Sequence, residues 1–312
     1  MTDMILDLDT GIDDSIALFL AAVHPSLNLL GVLTSYGNVT TGEAVRNSLD
    51  VLFLAGRPDV PVFHGKEKPL AETAPYVPSA VSRRIHGQNG VGGVTLPHSP
   101  RRAEKRDGTE WLIEMMKRGR DLVYTSTGPL TNLASALLLD PSIASSGVRV
   151  VSMGGALTVK GNVTAVAEAN IHKDPEAAKI VYESGLDVTA VPLDVTERSR
   201  LTESDAEKWI SSGTGEGELL GRMLLYYIEN TTGGCDTYVH DPSAVIAALH
   251  PGYFTSLSTP LTVGTEGEDR GRLYVPVERI LERRNRTGAL VDVDRTSVER
   301  ELGRILTYLE KQ

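Results

Sequence analysis

The stretch MILDLDTGIDDSI, residues 4–16, places aspartates at positions 7, 9, 13 and 14, just after a short apolar run and just before a helical one. Asp is favoured at helix N-termini, where a carboxylate meets free N–H groups and the positive end of the dipole. Capping therefore accounts for one or two of Asp7, Asp9, Asp13 and Asp14. It does not account for four, because each added carboxylate makes the others harder to ionise unless something positive lies among them. A hard divalent cation meets that need. Calcium takes six to eight oxygen ligands, and carboxylates supply several of them.

Two familiar acidic motifs fail here. An EF-hand loop starting at Asp7 requires Gly at its sixth position and Glu at its twelfth, where this chain has Ile12 and Leu18. The D-x-D opening of haloacid dehalogenase-type phosphatases wants Thr or Val where Gly11 stands, and it leaves Asp13 and Asp14 without a task. Other polar stretches recur along the chain, the first of them, like the aspartates, just after a predicted strand. Asn38 lies in SYGNVTTGEAVRN, where a turn beside Gly37 is the plainer reading. Thr127 lies in STGPLTNLA, which also reads as a turn and a helix start with Pro129 at the first position. Met153 lies in SMGGA, and Asn162, Glu168 and Asn170 lie in GNVTAVAEANIHKDPEAA, whose polar set is ordinary for a surface loop. His240 and Asp241 lie in VHDPSAVIAALH, where Asp241 is a good cap, although a cap needs no His before it.

In register and spacing these stretches resemble the nucleoside hydrolases, the inosine–uridine preferring family, from residue 4 to about residue 250. The N-terminal signature of that family, D-x-D-x-G-x-D-D, is DLDTGIDD here. The resemblance implies a calcium ion (Ca2+) held by Asp9, Asp14, the Thr127 carbonyl and Asp241. It implies a ribose gripped by Asn38, Asn162, Glu168 and Asn170, with Met153 packed nearby. His240 falls on the base side of the pocket. The segment HGQNG, residues 86–90, matches a mobile pocket loop and brings His86 near the sugar or base.

The chemistry expected is hydrolysis of a ribonucleoside N-glycosidic bond, an N-ribohydrolase reaction through an oxocarbenium-like ribosyl cation. Asp13, beside the ligands but not among them, is the expected general base, and Asp7 stands behind them. His240 is the expected proton donor to the leaving base. Tyr226, Tyr227 and Tyr238 lie close enough in sequence to pack over the base, though helix packing also explains them. Purine-specific members of the family stack the base between tryptophans of the pocket loops. Here Trp111 and Trp209 fall in predicted helices, which points to uridine or inosine–uridine preference. Two other readings stay open: a hydrolase of a related ribosyl compound such as nicotinamide riboside, and a nonenzymatic calcium-dependent ribose or nucleoside binder.

The elements that must hold these residues follow from the hydrophobic pattern. Short β-branched runs (MILDL, LNLLGVLT, VPVF, DLVYT, VRVVSM, DVTAV) alternate with amphipathic stretches, the signature of βαβ units. The fold class expected is α/β: an open, mostly parallel, Rossmann-like sheet with helices on both faces, the nucleoside hydrolase fold. Residues 64–108 lack periodicity, 253–293 read as hairpin strands, and VDRTSVERELGRILTYLEK as a closing helix. One nucleoside hydrolase domain over residues 1–312 is expected. Hydrophobic residues form 41% of the chain and aromatics 5%, so the core rests on Leu, Val, Ile and Ala. A net charge of −10 argues against a nucleic-acid or anionic-membrane partner. The single cysteine, Cys235, fits a reducing compartment. The N-terminus does not read as a signal peptide, so a cytoplasmic protein is expected. On that reading the N-x-T sequences at Asn38, Asn162, Asn230 and Asn285 carry no glycan. A homodimer or homotetramer is what the resemblance implies.

Overall fold

The computed structural model describes residues 1–119, 121–282 and 286–312, so the Asn285 sequence lies outside the described residues. The strands are β1 (Thr2–Leu8), β2 (Leu27–Thr34), β3 (Val62–Phe63), β4 (Leu122–Ser126), β5 (Arg149–Met153), β6 (Asp187–Val191), β7 (Arg200–Thr202), β8 (Asp236–Tyr238), β9 (Phe254–Ser258), β10 (Thr262–Val263), β11 (Leu273–Tyr274) and β12 (Thr287–Val293). The α-helices are α1 (Ile12–Val23), α2 (Thr41–Leu54), α3 (Ala80–His86), α4 (Gly108–Met116), α5 (Thr131–Leu139), α6 (Ala169–Lys173), α7 (Pro175–Glu183), α8 (Leu193–Thr196), α9 (Glu203–Ser211), α10 (Gly215–Thr231), α11 (Asp241–Leu249) and α12 (Arg295–Leu309).

Eight strands form one sheet in the order β3-β2-β1-β4-β5-β6-β12-β9, with β9 antiparallel to β12 and the other pairs parallel. Continuous burial of the last five residues of β1 is what a parallel strand covered on both faces requires. Alternation sorts its side chains. Met4, Leu6 and Leu8 enter the core built with α1, α10, α11 and α12, and Ile5 enters the opposite core with α4, α5 and α7. Asp7 has the parity of Ile5 and points to that second face. Outward from β1 the chain runs one way through β2 and β3 and the other way through β4, β5 and β6. The switch point therefore lies between β1 and β4, where open parallel sheets bind ligands beyond their carboxyl ends. Leu8 pairs with Thr34, Asp7 with Ser126 and Ser126 with Ser152, so these ends line up.

Two segments differ from the sequence expectation. Within 64–108, α3 forms because Ser79 caps it, accepting from the Ser82 N–H, and Gly87 at φ 77° ends it. Between 253 and 293, the β10–β11 hairpin and the β9–β12 pair form, but β12 also joins β6 in parallel. Among the described residues no helix is long and apolar enough to cross a membrane.

The closing helix is pinned by a buried acid. The Glu301 side chain, 3% exposed, accepts from His24 Nε2 at 3.2 Å at the end of α1, from Tyr253 Oη at 3.4 Å, and from Arg304 Nε. Glu301→Ala leaves the buried His24 without that partner. It is expected to cost about 2 kcal/mol, the Arg304 arm being half-exposed and worth little. A lowered urea midpoint checks this, and an unchanged one contradicts the anchoring.

Candidate active site

Past β1 the chain turns through Thr10 and Gly11 into α1, whose first turn carries Asp13 and Asp14. Gly11 is required by space: a Cβ there would lie 2.5 Å from His86 Nδ1 and 3.0 Å from Asn38 Nδ2. Asp9 and Asp14 are 0% exposed, Asp241 3% and Asp13 8%, although carboxylates are almost never buried so fully unless paired. Carboxylate oxygens of Asp13, Asp14 and Asp241 lie within 4.8 Å of one another. Asp241 arrives from the first turn of α11, 227 positions after Asp14 in the chain (241 − 14). Asp9 joins through Asn38, whose Nδ2 donates to Asp9 Oδ1 at 3.2 Å and to Asp14 Oδ2 at 3.0 Å. Asp13 Oδ1 and Asp241 Oδ2 are buried without a hydrogen-bond partner. Asp7 is held apart, accepting from Tyr124 Oη and, at 2.8 Å, from Asn132 Nδ2.

The carboxyl ends of β4 and β5 supply the next wall. Thr127 donates its hydroxyl to Asp14 Oδ1 at 2.6 Å, and its carbonyl accepts from Asn170 Nδ2 at 2.7 Å. The same Nδ2 reaches the Met153 carbonyl and sulfur, each at 3.3 Å. Glu168 caps α6, accepting from the N–H groups of Asn170, Ile171 and Gly155. Asn162 is exposed, and its side chain accepts from the Ala169 N–H at 2.9 Å, which pins its loop beside Glu168. Asn38, Thr127, Met153, Glu168 and Asn170 thus converge on the acidic cluster, with Asn162 at the rim.

The opposite wall is aromatic. Tyr227 of α10, expected over the base, donates its hydroxyl to Asp13 Oδ2 at 2.9 Å. His86 ends α3; its Nδ1 accepts from the Ile12 N–H at 3.1 Å and lies 3.8 Å from Asp13 Oδ1. That bond leaves the proton of a neutral His86 on Nε2. His240 Nδ1 lies 2.8 Å from Thr196 Oγ1. Tyr238 lies 5.6 Å from the His240 ring and is covered by the Arg200 guanidinium at 3.9 Å. Tyr226 points away and donates to the Arg84 carbonyl. Trp111 stacks on Phe63 at 4.0 Å and Trp209 is buried in the core, so neither touches these residues.

The family model described as inosine-uridine preferring nucleoside hydrolase matches residues 4–300. The chain belongs to this family. It is 38% identical to uridine nucleosidase 1 of Arabidopsis thaliana, over 85% of this chain and 79% of that protein. It is 34% identical to the pyrimidine-specific ribonucleoside hydrolase RihA of Enterobacter sp. (strain 638), over 94% of this chain and 93% of the relative. A solved structure of a purine-preferring ribonucleoside hydrolase from Gardnerella vaginalis matches with a TM-score of 0.96 at 38% identity, over 99% of this chain and 100% of that one. This nucleoside hydrolase is therefore an N-glycosyl hydrolase with the family fold.

Electrostatics show what the hydrolase pocket demands. Burial, and then the charges of Asp9 and Asp13, hold the Asp14 carboxyl well above the ordinary range; burial and the neighbouring aspartates do the same to Asp241. Burial lifts Asp7 to about 7 against its Tyr124 and Asn132 bonds. An all-oxygen, strongly acidic set with two orphaned oxygens fits a hard divalent cation. Acids raised in the folded state stabilise it below the unfolded pKa near 3.8, and that contribution is lost as pH rises through the folded values. Chelated protein should thus lose stability as pH climbs above about 4, while cation-loaded protein should keep only the share of that loss that comes from Asp7, which stands apart from the cluster. Thermal melts of both forms check this, and a constant gap between them over that range contradicts it.

Sequence reading missed Lys173. It ends α6, donates to Asp9 Oδ2 at 2.8 Å, and is 12% exposed. Burial works against its charge, but Asp9, Tyr76 and Glu168 outweigh it and hold the ammonium above the usual lysine range. In the string IHKDPEAA it reads as an ordinary lysine in a last helical turn.

Proposed function

We propose that this nucleoside hydrolase is a calcium-dependent ribonucleoside N-ribohydrolase with uridine as its preferred substrate. The observation that carries the reading is the buried, unpartnered Asp13 Oδ1 beside the carboxylates of Asp14 and Asp241. Asp9, Asp14, Asp241 and the Thr127 carbonyl would hold the cation. When bound, it supplies Lewis-acid polarisation of a water and a template for the ribose 2′ and 3′ hydroxyls. Asp13 removes the proton of the attacking water through Oδ1, because the Tyr227 hydroxyl fixes its other oxygen. Asn38, Asn162, Glu168 and Asn170 orient the sugar, and the acidic wall favours the positive charge that develops on the ribosyl carbon.

The leaving base falls to the aromatic wall. His240 is half-buried, and desolvation pushes its imidazole below the ordinary histidine range despite the nearby Asp13. It therefore meets the base as a neutral ring, and where the Thr196 hydroxyl donates to Nδ1 the Nε2 proton is free to donate to charge collecting on the base. A pyrimidine spreads that charge onto its exocyclic oxygens, so such a donor serves it well. His86, also lowered by burial, presents its Nε2 proton in the same region. Uridine preference is supported by both tryptophans lying in the core and by the names of the Arabidopsis and Enterobacter relatives. The Gardnerella enzyme has equal identity and a purine name, so similarity alone does not choose the base. The same reading takes residues 1–312 as one domain, the protein as cytoplasmic, and the assembly as a homodimer or homotetramer.

Incubation with uridine, cytidine, inosine, adenosine and nicotinamide riboside, with and without chelator, followed by a reducing-sugar assay, tests the proposal. Ribose release fastest from uridine and abolished by chelation is expected. Faster release from inosine or nicotinamide riboside overturns the substrate. Nucleoside binding without ribose release overturns the chemistry in favour of a binder.

A further inference from the structure

Nothing in the hydrolytic steps above uses Lys173, yet it touches a proposed cation ligand. Its Nζ donates to Asp9 Oδ2 at 2.8 Å and to Asn38 Oδ1 at 3.3 Å. Asp9 Oδ2 also accepts the Asn38 N–H at 2.8 Å, so that oxygen is well occupied. Asp9 Oδ1 accepts only the longer bond, 3.2 Å, from Asn38 Nδ2, the nitrogen that also reaches Asp14 Oδ2. The Oδ1 edge of Asp9 is thus the one turned toward the other carboxylates, and Lys173 sits behind it. The fit is close: a Cβ on Gly37 would fall onto Asp9 Oδ2 and lie 2.9 Å from Lys173 Nζ. Tyr76 closes the same corner by donating to the Gly37 carbonyl at 2.6 Å.

We infer that Lys173 is a built-in counter-ion that competes with the cation at Asp9 and sets how tightly the site loads. The inference rests on the proposed metal site and goes beyond it. Lys173 acts through Asp9, as a positioning residue, in two opposed ways. It orients the carboxylate so that a single oxygen faces the cation, which favours loading. It also places a positive charge one carboxylate away from a doubly charged ion, in a pocket shielded from water, which disfavours it. The second effect is larger, because Coulomb repulsion at that separation in a low-dielectric site exceeds the orientational entropy of one short side chain. Until a cation binds, the same ammonium offsets repulsion among Asp9, Asp13, Asp14 and Asp241. Lys173 therefore stabilises the metal-free fold and raises the cation concentration at which the site fills.

The test is Lys173→Met, read by calorimetric titration of chelator-stripped protein with Ca²⁺ and by thermal melting in chelator. The variant should bind calcium about tenfold or more tightly than wild type, and its stripped form should melt lower. Lys173→Arg, which keeps the charge, should stay near wild type in both readouts. A merely structural contact would, when lost, lower melting and weaken calcium binding together. That result, or an unchanged affinity, overturns the inference while wild-type binding leaves the metal reading standing. No calcium binding by wild type overturns both. Should the Met variant not fold, Lys173→Gln keeps a hydrogen bond to Asp9 without the charge and carries the same expectation.

Discussion

Asp13→Ala is expected to lower kcat on uridine by about a thousandfold or more, at the upper range for loss of a general base. Calcium affinity and KM should change little. In the proposed mechanism Asp13 is the member of the acidic cluster that takes the proton rather than holding the cation. Tyr227 holds Oδ2 at 2.9 Å, His86 stands 3.8 Å from Oδ1, and Oδ1 itself is buried with no donor. Steady-state kinetics and a calcium titration of the variant check this together. A fully active variant removes Asp13 from the chemistry. A variant that loses calcium as well moves Asp13 into the ligand set, which its place within 4.8 Å of Asp14 and Asp241 also permits.

Asp241→Asn should act through the cation instead. Its Oδ2 is the second orphaned oxygen of the cluster, and Asp241 is the first residue of α11 rather than its cap, which is His240. Calcium affinity is expected to fall by at least about a hundredfold, since even partners one step removed from a metal cost 10- to 100-fold when lost. Turnover at ordinary calcium should fall with it. The stripped variant should melt higher than stripped wild type, because Asn removes the burial cost and the repulsion from Asp13, Asp14 and Asp9 that raise the Asp241 carboxyl. Weaker binding with greater metal-free stability is a pairing that simple misfolding does not give. Equal calcium affinity in variant and wild type contradicts the assignment.

The fold and the acidic heart of the site were legible because local signals carry them. Near-continuous apolar runs mark parallel strands buried on both faces, and the DLDTGIDD string sits where the first of them ends. Asp7, still inside β1, faces the α4, α5 and α7 core, whereas Asp9 lies past the last strand residue, Leu8, and is free of that alternation. Long-range pairing left no such trace. The insertion of β12 beside β6, the Tyr227 hydroxyl on Asp13 and the Lys173 ammonium on Asp9 join residues 99, 214 and 164 positions apart. Each of these residues also has a sound local role as strand, helix face or helix end. His240 shows a subtler limit. Its position was readable, but the burial that lowers its imidazole below the ordinary histidine range is a property of the packed pocket and left no mark in the sequence.

The most direct measurement is ribose release from uridine by chelator-stripped protein as calcium is added back, with bound calcium counted in the same samples. The rate should start at background and rise in step with binding of a single calcium per chain. A full rate in stripped protein, with no ion bound even at saturating calcium, would contradict a cation held among Asp9, Asp14 and Asp241.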